Sequence, residues 1–301
     1  MIRNNVLPII FLMLVTITAS AQDSLMTLLQ VNSPGRNEKV IATFKSTKII
    51  SAHTNETLKK RNLDFRVGHL FGNMGTGGGG VHTLYGLDQS NDIRIAFEYG
   101  LTDRLMVSMA RNKRMENLSA DVKFRLLEQT INDHVPLAIT LFADASYSPK
   151  FDPYKDDPAR NVSGLRRISY FAQAIIARKF SPKFSLEILP SFLHRNVIDL
   201  NINPEDKNDL ISIGAGSRLK LTKSFGIIAD YFYSFREQSS KTTLHETLSA
   251  GVEIETGGHV FSIMFTNAVG LLENDFLPNT TDSWSKGGSK FSFNISRVFK
   301  L

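Results

Sequence analysis

Apolar and polar side chains alternate strictly in repeated stretches of about ten residues along most of the chain. The stretch that begins at Leu63 shows the pattern well. Its apolar set is Leu63, Phe65, Val67, His69 and Phe71, and the set between them is Asp64, Arg66 and Gly68. Successive side chains of a β-strand point to opposite faces. A strand with one aromatic face and one charged face suits lipid on one side and water on the other.

Similar stretches recur about twelve times up to the C-terminus. We predict strands at 63–71, 92–99, 104–111, 118–127, 136–147, 168–180, 184–194, 209–221, 225–235, 246–255, 260–266 and 290–301. An even number of strands is typical of single-chain bacterial outer-membrane barrels. The predicted fold class is therefore all-β: a transmembrane, antiparallel, up-and-down β-barrel of about 12 strands.

The connections between these strands alternate in length. Those at 100–103, 181–183, 222–224 and 256–259 are tight, whereas those at 72–91, 148–167, 195–208 and 267–289 are long and polar. Short turns face the periplasm and long loops face outward in barrels of this class. We therefore expect both ends of the barrel domain to lie on the periplasmic side.

The N-terminus has the features of a secretory signal peptide. Arg3 precedes an apolar run from Val6 to about Thr18, and Ala19-Ser20-Ala21 follows as a small-residue cleavage pattern. An uncleaved membrane anchor is the alternative, but a spanning helix needs about 20 apolar residues. We predict a signal peptide at 1–21, an N-terminal periplasmic or luminal segment at 22–61, and an outer-membrane barrel at 62–301 of a Gram-negative protein.

Two features do not fit a plain barrel. Residues 40–50 read as an extended segment that would make the strand count odd, so we expect them in the lumen or below the barrel. Arg297 falls on the lipid face of the last strand, where an arginine at the bilayer midplane costs about 2–4 kcal/mol. Because it lies near the C-terminus, we expect its side chain to reach the interface.

Composition excludes several classes of function. The chain has no cysteine, so it has no disulfides, no thiol chemistry and no Cys-type zinc site. Its 35 basic and 29 acidic residues leave a net charge of +6 without a dense cluster, which gives little support to nucleic-acid binding. After the leader, no apolar run approaches the length of a spanning helix.

The candidate chemical motifs are weak. The run from Gly72 to Gly80 lacks the Lys-Ser/Thr of a phosphate-binding loop, and a flexible outer loop explains it better. The seven histidines show no metal-binding spacing, and no G-x-S-x-G elbow occurs. We therefore expect no enzyme activity, no cofactor, no catalytic residue and no metal ligand.

Six segments carry a resemblance to a known family. They are Phe44-Lys45-Ser46-Thr47, His53 with Glu56-Thr57, 63–69, 85–88, 97–103 and 123–127. In these segments the chain resembles a family of outer-membrane β-barrels of unknown function from Bacteroidota. The resemblance covers most of the mature chain. It implies a barrel and no established activity, so it transfers no functional residue.

The predicted inner face carries carboxylates and basic groups together, as a solvated lumen wall does. We predict a narrow or partly plugged conduit for small polar solutes. The residues expected to line it are Arg66, Arg94, Glu98, Arg125, Arg218 and Glu253. Mutual neutralisation of these wall charges is favoured over catalysis.

Other classes of function remain as alternatives. One is a structural or partner-binding barrel with a closed lumen and interacting outer loops; an enzyme ranks below it. A soluble periplasmic β-sandwich is the rival fold. The expected partners are outer-membrane lipid, the barrel-assembly machinery and a small polar solute, and no nucleic acid.

Overall fold

The computed structural model describes residues 38–75, 79–157 and 164–301. The predicted signal peptide and the first part of the N-terminal segment lie outside these residues. Twelve strands follow one another in the chain. They are β1 (Asn62–Asn73), β2 (Ser90–Gly100), β3 (Leu105–Asn112), β4 (Leu118–Leu127), β5 (Ala138–Tyr147), β6 (Ile168–Lys179), β7 (Phe184–Arg195), β8 (Asp209–Lys220), β9 (Phe225–Ser234), β10 (Thr247–Thr256), β11 (His259–Thr266) and β12 (Lys290–Lys300).

The strands form one closed antiparallel barrel in which each strand pairs with its neighbours in sequence. Closure occurs where β1 pairs with β12 as well as with β2, so that Val67 lies opposite both Ile295 and Ile95. The up-and-down barrel prediction is confirmed, and the β-sandwich rival is wrong. A ladder that closes on itself leaves no unpaired strand edge.

Burial is inverted relative to a water-soluble protein. On the outer wall Phe97 is 50% exposed and Met109 is 70% exposed, whereas the inward-facing Asp64 and Glu98 are only 2% and 6% exposed. Large apolar side chains cover the outside on every side of the barrel. Such a surface is stable where hydrocarbon covers it.

The connections at the two ends of the barrel differ in kind. At the end where β1 begins and β12 ends, β2–β3, β6–β7, β8–β9 and β10–β11 are joined by tight turns. At the other end, the β11–β12 loop carries a short helix, α1 (Glu273–Asn279). Short 3₁₀ segments lie at Val81–Gly86, Arg114–Glu116, Gly164–Arg167 and Trp284–Lys286, the first of them interrupted by a kink. None of the helices in the described ranges is long and apolar enough to cross a bilayer.

The inner wall of the barrel has two different halves. On β1–β4 its buried side chains include Asp64, Arg66, Arg94, Glu98, Asp121 and Lys123. On β5–β9 it carries a buried apolar cluster that includes Phe142, Phe171, Ile175, Leu189, Leu193, Ile228 and Phe232. The sequence predicted a solvated, charged inner face. On β5–β9 apolar side chains instead pack together beside buried carboxylates such as Asp144 and Asp230.

A lumen closed from both ends as the candidate functional site

A tight hairpin from the N-terminal segment fills part of the lumen. We call residues 47–54 the inner hairpin. Thr54 N donates to Thr47 O (2.9 Å), and Ile49 N donates to Ala52 O (3.0 Å). At the tip, Ile49 and Ala52 are 1% and 0% exposed and belong to the apolar cluster of the wall. The segment that would have made the strand count odd is therefore not a wall strand, and its second half lies inside the barrel.

Charged side chains of the wall hold the backbone of the inner hairpin. Lys123 Nζ donates to Thr47 O (2.7 Å) and Thr54 O (3.1 Å), which joins the two ends of the hairpin. Asp230 Oδ2 accepts from Ser51 N (2.6 Å) and from Ala52 N (3.0 Å) at its tip. Buried backbone groups that find no partner are costly, so these two side chains complete hydrogen bonds that the short hairpin lacks.

A glycine makes room for the tip of the inner hairpin. Gly216 faces inward on β8, and a Cβ atom there would lie 3.1 Å from Ile49 Cδ1 and 2.6 Å from Glu187 Oε1. Any larger residue at this position would push the tip away from the wall.

Arg66 and Glu98, both predicted to line an open lumen, bind the inner hairpin instead. Arg66 donates to Thr47 Oγ1 (2.8 Å), Lys48 O (3.1 Å) and Asp64 Oδ2 (3.1 Å). Glu98 accepts a hydrogen bond from Thr47 Oγ1 and lies 3.6 Å from Arg66 Nε. These charges are therefore neutralised by the protein.

The other four predicted lining residues also face inward and are paired. Arg94 donates to Asn112 Oδ1 (2.9 Å), and Arg218 Nε donates to Glu253 Oε1 (2.8 Å). Arg125 donates to Glu56 Oε2 (3.2 Å) just below the inner hairpin. All six residues share the inner face, and each is paired with another side chain of the protein.

Helix α1 occupies the lumen from the opposite end. Phe276 and Leu277 are 0% and 1% exposed, and the Phe276 ring lies 5.3 Å from the Phe232 ring of β9. Asn274 Nδ2 donates to Ser169 Oγ (3.0 Å), and Ser234 Oγ donates to Leu277 O (3.0 Å). The helix is thus seated on the wall by both apolar and polar contacts.

The inner hairpin and α1, which we call the two blocks, meet at a buried ion pair. Lys48 Nζ of the inner hairpin lies 3.0 Å from Glu273 Oε1 of α1, and His53 Nε2 lies 3.3 Å from the same oxygen. Burial and the adjacent Lys48 charge lower the pKa of His53 to about 3, so the imidazole is neutral. Burial raises the pKa of Glu273, but the Lys48 ammonium and His53 outweigh it and hold that pKa well below its usual value. The pair is therefore a carboxylate and an ammonium.

The imidazole of His53 is fixed by a ring contact. It stacks on Phe142 of β5 with the ring centroids 3.9 Å apart. We interpret the stacking of this neutral imidazole on a phenyl ring as a packing contact. Within the described residues, no group of three or more His, Asp or Glu side chains is placed to hold a metal ion.

A cavity of about 220 Å³ lies above α1 among the outer loops. We call it the vestibule. Its polar lining includes Arg114, Arg167, Arg195, Asp199, Asp206, Asn274, Asp275 and Asn279, and its apolar lining includes Phe151, Val197 and Ile202. The cavity has room for on the order of seven water molecules at about 30 Å³ each.

Two groups on the floor of the vestibule are incompletely paired. Asn274 Oδ1 is buried without a hydrogen-bond partner in the described structure. Asp275 accepts from Asn117 Nδ2 (3.2 Å) and lies 3.6 Å from Arg114 Nε. Burial raises the pKa of Asp275 to about 7, because Arg114 offsets only part of the desolvation.

Sequence reasoning missed the residues that close the lumen. Lys48, Glu273 and the tip of the inner hairpin lie in segments without a strand period. Asp230 and Lys123 do alternate with apolar neighbours, so the sequence predicts that their side chains face inward. It does not predict which backbone groups they bind.

The sequence matches the family model described as "Membrane bound beta barrel domain (DUF5777)" over residues 44–299. The chain belongs to this family. The matched range includes the inner hairpin, α1 and all of the twelve strands except Lys300, the last residue of β12, so the elements inside the lumen lie within the family domain. With its closed ladder and apolar outer wall, the DUF5777 domain is a barrel of the outer-membrane type. No curated protein matches the sequence.

Among solved structures, the DUF5777 chain is similar to several porins and channels. The NanC porin is 10% identical, with 79% of this chain and 100% of that chain covered, at a TM-score of 0.47. The KdgM porin is 7% identical, with 80% and 99% covered, at a TM-score of 0.44. An outer membrane channel from Pseudomonas putida F1 is 12% identical, with 81% and 98% covered, at a TM-score of 0.47.

Proposed function

We propose that this protein is a gated outer-membrane conduit for small polar solutes, closed in the form described here. Export with cleavage after Ala21 would deliver it to that membrane. The proposal rests on one observation about the elements that occupy the lumen. Both blocks, the inner hairpin and α1, belong to connecting segments and not to wall strands. They are able to move while the twelve-strand ladder stays intact.

The wall behind the blocks supports passage of polar solutes. If the inner hairpin left, β1–β4 would present Asp64, Arg66, Glu98, Asp121 and Lys123 to the lumen. Charged groups of both signs on one wall favour a hydrated path. The vestibule supplies a polar space on the outer side, with α1 between it and the inner hairpin.

Conductance in planar bilayers tests the proposal. The first variant replaces residues 270–280 with a flexible linker, which removes α1, and the second also removes residues 43–55. We expect the unaltered protein to be almost silent, the first variant to open intermittently, and the second to conduct steadily. A matched control replaces residues 197–205 of the β7–β8 loop, which leaves both blocks in place, and should stay silent.

Correct folding of each variant is checked by heat-modifiable migration, since a closed barrel resists detergent until it is heated. Folded variants that lack both blocks and still conduct nothing would rule the conduit out.

A closed partner-binding barrel is the second candidate function. The specific observation in its favour is the apolar cluster that joins Ile49 of the inner hairpin, Phe232 of the wall and Phe276 of α1. Such packing stabilises a permanently filled interior. This function predicts silence from both block-deleted variants, together with capture of one stoichiometric partner through the outer loops.

A further inference from the structure

Unpaired cations gather at the end of the barrel where both termini of the domain lie. The lysine patch consists of Lys183 in the β6–β7 turn and Lys223 in the β8–β9 turn. Lys220 N donates to Lys183 O (2.7 Å), so the two turns are side by side. Neither Lys183 nor Lys223 forms an ion pair within the described residues, and the nearby Glu255 is held by Lys45 at 2.6 Å.

A second patch lies where the barrel closes. Lys59, Lys60 and Arg61 lead into β1, and Arg297 and Lys300 end β12. Leu301 N donates to Arg61 O (2.9 Å), which brings the two groups together. All five side chains are exposed.

At the opposite end of the barrel, some exposed lysines are neutralised by carboxylates. There Lys150 pairs with Glu116 (2.8 Å) and Lys207 pairs with Glu237 (2.6 Å). Others, such as Lys155, Lys241 and Lys286, form no ion pair within the described residues, so free positive charge occurs at both ends.

The patches border the apolar outer wall. Phe180 and Leu221, beside the lysine patch, are 54% and 49% exposed. The guanidinium of Arg178 lies 5.4 Å from the centroid of the Phe180 ring, and that of Arg297 lies 4.9 Å from the Phe299 ring. Aromatic side chains mark the edge of the hydrocarbon in barrels, so these cations lie at the level of lipid headgroups.

We propose that both patches bind the anionic headgroups of phospholipids in the periplasmic leaflet. The free ammonium and guanidinium groups attract phosphate, and the adjoining aromatic and leucine side chains contact the acyl chains of the same lipid. Arg297, which seemed misplaced on a lipid-facing position, is then a headgroup ligand. This binding is independent of whether the lumen conducts.

The test measures which lipids the folded barrel retains. The full chain is reconstituted in vesicles of phosphatidylethanolamine with a minority of phosphatidylglycerol, extracted gently, and examined by native mass spectrometry. We expect phosphatidylglycerol to be enriched, and less so at high ionic strength. The variant Lys183→Gln/Lys223→Gln should lose part of this enrichment, by a factor of about five per lysine, the equivalent of about 1 kcal/mol each.

A matched variant and a soluble competitor complete the design. Lys155→Gln/Lys241→Gln removes the same charge from the outer loops and should leave the enrichment unchanged. Glycerol phosphate added in solution should not displace the lipid, because it lacks acyl chains. Displacement by it would instead assign the patches to a soluble anion.

Equal retention of the two lipids by the unaltered protein would overturn the proposal. So would an equal loss in the two double variants. Acidic proteins of the periplasm would then be the remaining class of partner.

Discussion

Lys48 Nζ lies 3.0 Å from Glu273 Oε1, and this ion pair joins the two segments that close the barrel from opposite ends. The residues are 225 positions apart in the chain. Their side chains are only 8% and 3% exposed, so the pair is shielded from solvent. Removing one partner of such a pair leaves an uncompensated buried charge.

The variant Lys48→Met should therefore loosen both blocks. We expect it to weaken their seating by about 3–5 kcal/mol, because Glu273 would remain charged and buried. The double variant Lys48→Met/Glu273→Gln removes both charges and should recover part of that loss. Hydrogen exchange of the backbone amides at 47–54 measures the effect.

The exposed pair Lys45–Glu255 offers the matched control. Its side chains are 32% and 35% exposed, and an exposed pair contributes little. Lys45→Met should leave exchange at 47–54 nearly unchanged. Similar exchange in Lys48→Met and Lys45→Met would show that the buried pair does not join the blocks.

Asp230 should contribute more to the inner hairpin than another buried carboxylate of the same wall. Asp230→Ala leaves the amides of Ser51 and Ala52 without an acceptor, at a cost of about 1–3 kcal/mol each. Neither oxygen of Glu187, which is 1% exposed, has a hydrogen-bond partner in the described structure, so Glu187→Gln should be neutral or stabilising. Protease sensitivity of residues 43–58 in the folded barrel compares the two variants. Greater sensitivity in Glu187→Gln than in Asp230→Ala would contradict this account.

The seating of α1 should depend on pH through Asp275. Burial raises its pKa to about 7, and the carboxylates of Asp92 and Glu273 add to the effect, whereas Arg114 and the amide of Asn117 oppose it. The seated form therefore binds a proton more tightly than a withdrawn, solvated form does. The contribution of Asp275 to the stability of the seated form is complete in acid and is lost as the pH rises through about 7.

We accordingly expect the rate of hydrogen exchange at α1 to rise between pH 6 and pH 8 by more than the intrinsic exchange rate does. This pH window is set by the Asp275 pKa of about 7. Asp275→Asn should remove the excess, because the amide is neutral throughout. An undiminished excess in this variant would assign the pH dependence to another group.

A charge on the outer wall should destabilise the barrel only where hydrocarbon covers it. Met109 is 70% exposed at the centre of the outer face of β3, and Met109→Arg should cost about 2–4 kcal/mol in a bilayer. Leu165 is 80% exposed in an outer loop, and Leu165→Arg should cost close to nothing. Urea unfolding in vesicles measures both variants. Equal costs would mean that lipid does not cover the face around Met109.

The sequence alone determined the wall of this protein. Alternation of period two placed Phe97 outside and Glu98 inside without knowledge of any partner strand, and all twelve strands begin and end within two residues of their predicted bounds. The signal is readable because lipid and lumen impose opposite chemistry on adjacent residues all along a strand.

Only the tertiary structure decided what the lumen contains. Lys48 and Glu273 lie in connecting segments with no period, and their contact depends on how two loops fold back into a barrel that the strands must first close. The inward direction of Arg66 follows from its register, but its bonds to Thr47 and Lys48 do not. Local periodicity reports the environment of each face, whereas pairing across a closed interior depends on contacts between segments far apart in the chain.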